Sequence, residues 1–410
     1  MLPDGWSFKN INEIGIQVID GDRGKNYPKD NEFQSTGSCL FLSAKNVTKA
    51  GFDFSLGQFI TNEKHKLLNK GEVKVGDIVI TTRGSIGHFA YYNHKKYQSM
   101  RINSGMAILR SNVNYTYPDF LYEVCRSQIV KTQIEKASFG SAQPQLTIAI
   151  IKKFRIPLPP IPEQKKIAAI LSTWDRAIEG TEKLLANNQQ QKKALMQQLL
   201  TGKKRLPGFM GEWKIGTISE IAHIDTGFAF KSSEFTDNAD GMPVVRMSDL
   251  KDGILNLESC KRLNLNSLSG LTKFSLKEND FIFGMSGSLS NFAWVKNNNL
   301  PCYLNQRVGR IRSKTIGDQQ FISYLYLSEK IQKEIEDKAA GAAQLNISLN
   351  DIRGMKIKIP PLPEQEAIAA VLTTADKEIT AIETGLSRLR QEKKALMQQL
   401  LTGKRRVKVD

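Results

Sequence analysis

The sequence predicts an α+β protein in which two repeated globular domains are separated by a long antiparallel two-helix coiled coil. Three observations carry that prediction. The segment KKALMQQLLTGK stands at 192–203 and returns unchanged at 393–404. Before it, IPLPPIPEQKKIAAILSTWDRAI (156–178) answers IKIPPLPEQEAIAAVLTTADKEI (357–379) at the same offset of 201 residues. Upstream of each copy, short β-branched runs bounded by Gly, Asn and Asp are followed by helical stretches. A repeat at one constant offset sets the architecture before any local reading does.

In chain order, residues 1–155 form the first domain, with strands in GDIVIT and GMAILR and a helical stretch, one or two helices, over PDFLYEVCRSQIVKTQIEK (118–136). Residues 156–206 form the first long helix. Pro162 suits its first turn, Glu163 faces the positive end of its dipole, and Gly202 marks its stop. Apolar residues recur at heptad spacing through Ile167, Leu171, Trp174, Ile178, Leu185, Leu195 and Leu199. About 39 residues give a rod of roughly 58 Å. Residues 207–356 form the second domain, with strands in DFIFG and VGRIRS and a helical stretch, one or two helices, over 320–339. Its likeness to the first is weaker but continuous: KVGDIVITTRGSIG (74–87) answers KENDFIFGMSGSLS (277–290), and GSAQPQL (140–146) answers GAAQLNI (341–347). Residues 357–410 form the second long helix, with a seam from Ile368 through Leu372, Ile379, Leu386 and Leu396 to Leu400. Two such stripes in one chain pack on each other. Thr181 and Asn188 interrupt the first seam, as register-fixing polar residues do. The domain linking the helices permits either sense of packing, and only the antiparallel sense places one domain at each end.

Composition narrows the partner. The formal net charge is +17, which points to a polyanion, most often nucleic acid; a basic surface for solubility is the alternative. Cys39, Cys125, Cys260 and Cys302 form no CxxC pair and read as free, mostly buried thiols. No apolar run approaches the ~18 residues of a membrane span, and MLPDGWSFKN carries no leader-like apolar region. The expectation is a cytoplasmic protein without a membrane partner.

Nothing nominates a catalytic centre. The chain has no GxxxxGK[ST] phosphate loop and no Asn-Pro-Pro-Tyr amine pocket. His65, His88, His94 and His223 lack the spacing of metal ligands or of a nucleophile triad. Glu-x-Lys triplets at Glu72, Glu336 and Glu392 are expected by chance in a chain this charged. The chain is therefore expected to hold no metal and to perform no reaction.

The Pro-Pro-x-Pro-Glu-Gln start, the long helix and the Leu-Leu-Thr-Gly-Lys exit, each occurring twice, resemble the specificity subunits of type I restriction-modification systems. The resemblance covers essentially the whole chain. It implies two target-recognition domains, each reading one half of a bipartite sequence in double-stranded DNA. The helices would be spacers that also dock two methyltransferase subunits. Restriction subunits, which translocate and cut, would join the complex. The resemblance implies no cofactor in this chain; S-adenosylmethionine, ATP and Mg²⁺ would act through the other subunits. A rival from another class is a coiled-coil scaffold with protein-binding end domains, and a second is a self-sufficient DNA-modifying enzyme.

Bases are read from loops and element ends. In the first domain TTRGSIG offers Arg83, Gly84 and Ser85, SAKNV offers Lys45 and Asn46, and SMRINSG offers Arg101 and Asn103. In the second, RMSDL offers Arg246 and Ser248, GMSGSLS offers Ser286 and Ser288, and YLNQRVG offers Gln306 and Arg307. Gln143 and Gln344 belong to turns that either touch DNA or fix the approach to the helix. KKYQ (95–98) and the tail GKRRVKV read as phosphate contacts or solvated charge. If each helix end docks the same partner, both must present the same surface. The candidates for it are Lys193, Met196, Gln197 and Leu200, with Lys394, Met397, Gln398 and Leu401. Simple helix packing of the apolar members is the competing reading.

Overall fold

The computed structural model describes residues 3–138, 145–340 and 345–409. The chain divides into two compact units, Met1–Glu182 with Gly385–Asp410, and Lys183–Thr384. Each long helix, Ile161–Leu199 and Leu362–Leu401, therefore contributes a part to both.

In the first unit a four-stranded antiparallel sheet runs Gln17–Asp20, Met106–Arg110, Ile78–Thr81, Phe89–Tyr91 in spatial order. Ile78–Thr81 is buried at every position, because both sheet faces are covered. Ile78 and Ile80 face helix Pro118–Arg126, where Phe120, Leu121 and Val124 lie. Val79 faces Leu40, Leu42, Met100 and Ile102 of a second sheet. This alternation is the period-two pattern of a strand, and it explains the continuous apolar run IVIT. The helical stretch over 118–136, where one or two helices are expected, is two helices, Pro118–Arg126 and Gln128–Ser138, broken at Ser127. Strand Ser7–Asn10 pairs antiparallel with Arg155–Leu158, which ties the start of the domain to the point where the long helix begins.

The second unit repeats this plan. Its four-stranded sheet runs Ala222–Thr226, Val308–Ser313, Phe281–Gly284, Phe292–Trp294. The helical stretch over 320–339 is likewise two helices, Gln319–Tyr326 and Glu329–Ala339. Lys214–Thr217 pairs with Lys356–Ile359 as the closing ribbon.

Within each unit a part of one long helix lies against a part of the other. In the first unit Glu163, Asp175 and Glu182 meet Arg406, Lys393 and Arg390, so numbers rise on one helix as they fall on the other. In the second unit Lys192 meets Asp376, and Arg205, just past the first helix, meets Glu364. The segments run in opposite senses. Ile167, Leu171, Ile368, Leu372, Leu386 and Leu400 on the seam are buried. The two polar interruptions bond to their own helix: Thr181 Oγ1 donates to Ala177 O at 2.7 Å and Asn188 Nδ2 to Leu184 O at 2.9 Å.

The four cysteines are free and buried, and burial pushes the Cys39 thiol up to about 12. No helix among the described residues is long and apolar enough to cross a membrane.

Candidate nucleic-acid interface

Each domain brings three loops edge to edge. In the first domain one loop follows strand Ile78–Thr81, one joins Ser99–Ile102 to Met106–Arg110, and one follows Gln17–Asp20. Thr82 N donates to Gly105 O at 2.8 Å, and Arg23 Nη2 to Ser104 O at 3.2 Å. A Cβ on Gly21 would stand 2.1 Å from Asn103 O, so only glycine permits that approach. In the second domain Met285 N donates to Arg307 O at 3.1 Å and Gln306 N to Phe228 O at 3.0 Å. A Cβ on Gly227 would lie 1.9 Å from Leu304 O. The same frame is built twice.

Several predicted residues gather on these loops. Arg83, Gly84 and Ser85 are exposed, and Gly84 takes φ +69°, a turn that favours glycine. In the amide orientation that satisfies both partners, Gln145 Oε1 accepts from Nε and Nη2 of Arg83 at 3.1 Å each. That contact aims the guanidinium, which sequence spacing alone did not indicate. Asn103 Oδ1 accepts from Gly105 N at 2.9 Å. In the second domain Ser288, Gln306 and Arg307 are exposed, while half-buried Ser286 bridges to Asn346.

Others serve the scaffold. Arg101 is buried and donates to His65 Nδ1 at 2.9 Å, Lys70 O at 2.7 Å and Leu68 O at 2.9 Å. Burial, then the Arg101 charge, pushes the His65 ring below its ordinary value and favours the neutral acceptor form. Asn46 is buried as well: Oδ1 accepts from Ser43 N at 2.9 Å, and Nδ2 donates to Asp53 O at 2.9 Å and Leu56 O at 2.6 Å. Its neighbour Lys45 is exposed. Arg246 is bound to Asp249 at 3.1 Å and to Ser259 O at 2.8 Å. Ser248 is exposed, with its hydroxyl 3.3 Å from Asp249 Oδ1. In the KKYQ stretch Lys96 lies over Phe54, 4.6 Å from the ring centroid. Gln143 and Gln344 lie outside the described residues.

The repeated segment divides by helical face. Leu200 and Leu401 are buried in the cores of their units, next to Leu199 and Leu400. This overturns their assignment to a partner surface, because the packing demand takes both side chains. Met196 and Met397 are half-buried; Lys193, Gln197, Lys394 and Gln398 are exposed. Gln197 Nε2 donates to Glu329 at 2.7 Å, and Lys193 stands 3.9 Å from the same carboxylate. In the first unit Lys394, Met397 and Gln398 line a cleft of about 1420 Å³, together with Phe52, Tyr91 and Tyr122.

A double clasp holds these segments in place. Lys393 Nζ lies 2.5 Å from Asp175 and 3.2 Å from Glu123. Burial works to raise the Asp175 carboxyl, but Arg126 and Lys393 outweigh it and hold it below the usual range. Lys192 Nζ lies 2.5 Å from Asp376 and 5.4 Å from the centre of the Tyr324 ring. Arg406 and Trp6 both reach Glu163, and Arg205 and Trp213 both reach Glu364. Arg406 is thus spent on the fold, not on a phosphate. Gln164 donates to Tyr115 O and Pro159 O while accepting from Tyr117 N; Gln365 does the same at Ile316, Pro360 and Asp318. Each Pro-Glu-Gln is therefore a structural lock. Sequence reading placed the Glu on the helix dipole and missed its arginine, although both arginines sit two residues past their repeated segment.

Comparison with known proteins places this arrangement. Residues 3–187 and 210–389 each match the family described as type I restriction modification DNA specificity domain. The chain is 30% identical over 305 residues to the type I restriction enzyme MjaVIII specificity subunit of Methanocaldococcus jannaschii, covering 71% of each. It is 22% identical to the MjaIX specificity subunit of the same organism, covering 99% of this chain and 95% of that one. In fold it is similar to the crystal structure of a type I restriction-modification S subunit from M. genitalium, with TM-score 0.59, 16% identity and 98% of each chain covered.

Proposed function

This chain belongs to the family of type I restriction modification DNA specificity domains, which it carries twice, and we propose that it is the DNA-reading, non-catalytic subunit of a type I restriction-modification complex. Each domain reads one half of a bipartite duplex target. The observation that carries this is the three-loop frame, in which the bond from Thr82 N to Gly105 O answers that from Met285 N to Arg307 O, furnished in the two domains with unlike side chains. Arg83 makes a bidentate contact to a guanine edge in one half-site, with Gly84, Ser85 and Asn103 beside it. Ser288, Gln306 and Arg307 act in the other, where Gln306 suits adenine. Lys45 and Ser248 contact the flanks. The net charge of +17 favours the phosphate backbone throughout.

The long helices form an antiparallel two-stranded coiled coil that fixes the spacing of the half-sites. Methyltransferase subunits dock on the exposed face of each repeated segment, through Lys193, Met196 and Gln197 and through Lys394, Met397 and Gln398. The cleft beside Lys394 supports this reading, because it is concave and partly aromatic. Two such surfaces accept two methyltransferases, and restriction subunits complete the assembly. S-adenosylmethionine, ATP and Mg²⁺ act in those partners, in the cytoplasm.

The test compares the purified chain with the chain co-expressed with its methyltransferase, both titrated with genomic duplex and S-adenosylmethionine. Salt-dependent binding by both and methyl transfer only by the complex are expected. Methyl transfer by the chain alone contradicts the proposal.

A further inference from the structure

One loop of the frame was not singled out by sequence reading. After the buried glycine the first domain continues Gly21-Asp22-Arg23-Gly24-Lys25, and the second continues Gly227-Phe228-Ala229-Phe230-Lys231. Both glycines are pressed on the neighbouring reading loop, Gly21 on the carbonyl of Asn103 and Gly227 on that of Leu304. The frame is kept while the chemistry changes from charged to aromatic. In the first domain Asp22 turns inward to hold Asn69 N at 2.7 Å, leaving Arg23 exposed. In the second, Phe228 is stitched on both sides: its N donates to Leu304 O at 2.9 Å, and its O accepts from Gln306 N at 3.0 Å. That sets the Phe228 backbone directly beside the exposed Gln306 and Arg307.

The ring is half-buried and rigidly backed. It packs on Phe230 at 5.1 Å and on Phe274 at 5.3 Å between centroids, and Lys273 lies 4.9 Å from the centre of the Phe274 ring. A phenyl group offers nothing to a phosphate or a base-edge donor. What it recognises in a major groove is the 5-methyl group of thymine. We propose that Phe228 selects thymine in the half-site read by the second domain, by packing against that methyl group, with Lys273 beside it for the backbone. This rests on the DNA-reading assignment above.

The experiment is enrichment of a randomised DNA duplex library on the full-length chain, followed by binding to the enriched duplex with each thymine replaced in turn by deoxyuridine. That exchange removes one methyl and leaves the protein untouched. One thymine is expected to lose about fourfold in affinity on replacement, the worth of one buried methyl. Phe228→Ala is expected to weaken binding and abolish the thymine–deoxyuridine difference at that position only. Phe228→His, which keeps a planar ring on Phe230 and Phe274, gives the same loss and serves if Phe228→Ala does not fold. Indifference to deoxyuridine at every position, or a variant that keeps the difference, overturns the proposal. A wild-type chain that enriches no sequence defeats the DNA-reading assignment itself.

Discussion

Lys393 reaches Asp175 at 2.5 Å, and 201 residues earlier Lys192 reaches Asp376 at the same distance. The first residue of each KKALMQQLLTGK copy is thus the internal one, bonded to the other long helix. The surroundings differ: Lys393 also faces buried Glu123, whereas Lys192 faces the Tyr324 ring. Identity of the repeated segment has a packing cause in its first residue and in its Leu-Leu pair, Leu199–Leu200 and Leu400–Leu401; its exposed face is the one proposed for a partner.

Adjacent lysines should therefore separate fold from docking. Lys393→Ala leaves Glu123 and Asp175 short of a buried cation and should destabilise the chain by about 3 kcal/mol or more. Lys394→Ala should change stability by less than about 0.5 kcal/mol yet weaken co-purification with the methyltransferase. Thermal unfolding and pull-down, read side by side, check the pair. Equal effects of both variants on unfolding would contradict the division.

Arg83→Ala should cost about 1–3 kcal/mol at one half-site and relax the base preference there. Binding to duplexes altered in each half-site measures this. A uniform loss on all sequences, with a salt slope lower by about one, would make Arg83 a phosphate contact.

Burial raises the Glu123 carboxyl above its ordinary 4.5, against the pull of Lys393 and Arg126. Below 4.5 it is protonated in both folded and unfolded chains. As pH rises toward its folded value, the unfolded chain ionises first and stability is lost. Asp175, whose folded value is lowered, contributes stability that is lost only as pH falls below about 3.8, outside this window. The melting temperature of wild type relative to Glu123→Gln should therefore fall as pH rises above 4.5. A flat difference would show that Glu123 does not titrate with folding.

Gly227→Ala should disorder the second reading face, since the new Cβ has no room against Leu304 O. Selectivity should be lost in one half-site and kept in the other, as enrichment from a randomised library would show. Loss in both would mean that the two faces do not act independently.

Much of the architecture was legible because it rests on local patterns. Pro162, Gly202 and the heptad seam are short-range signals, and the constant offset made the repeat plain. The clasps were not legible, because Arg205 finds Glu364 and Arg406 finds Glu163 across more than 150 residues. Asn46 and Arg246 looked like readers because they follow strands in loops. The spacing Ser43-x-x-Asn46 and Arg246-x-x-Asp249 is that of a small capping turn, which is where the side chains went. Arg101 gave no such signal; only the fold shows it enclosed by the carbonyls of Leu68 and Lys70.

The central claim is that two unlike domains read one duplex together. Its most direct measurement is a genome-wide map of methylated adenines in cells that express this chain with its methyltransferase, repeated after residues 207–356 are replaced by the second domain of another family member. The account predicts a bipartite motif of fixed spacing in which the replacement changes one half-site and leaves the other and the spacing intact. A single contiguous motif, or a replacement that alters both halves, would contradict it.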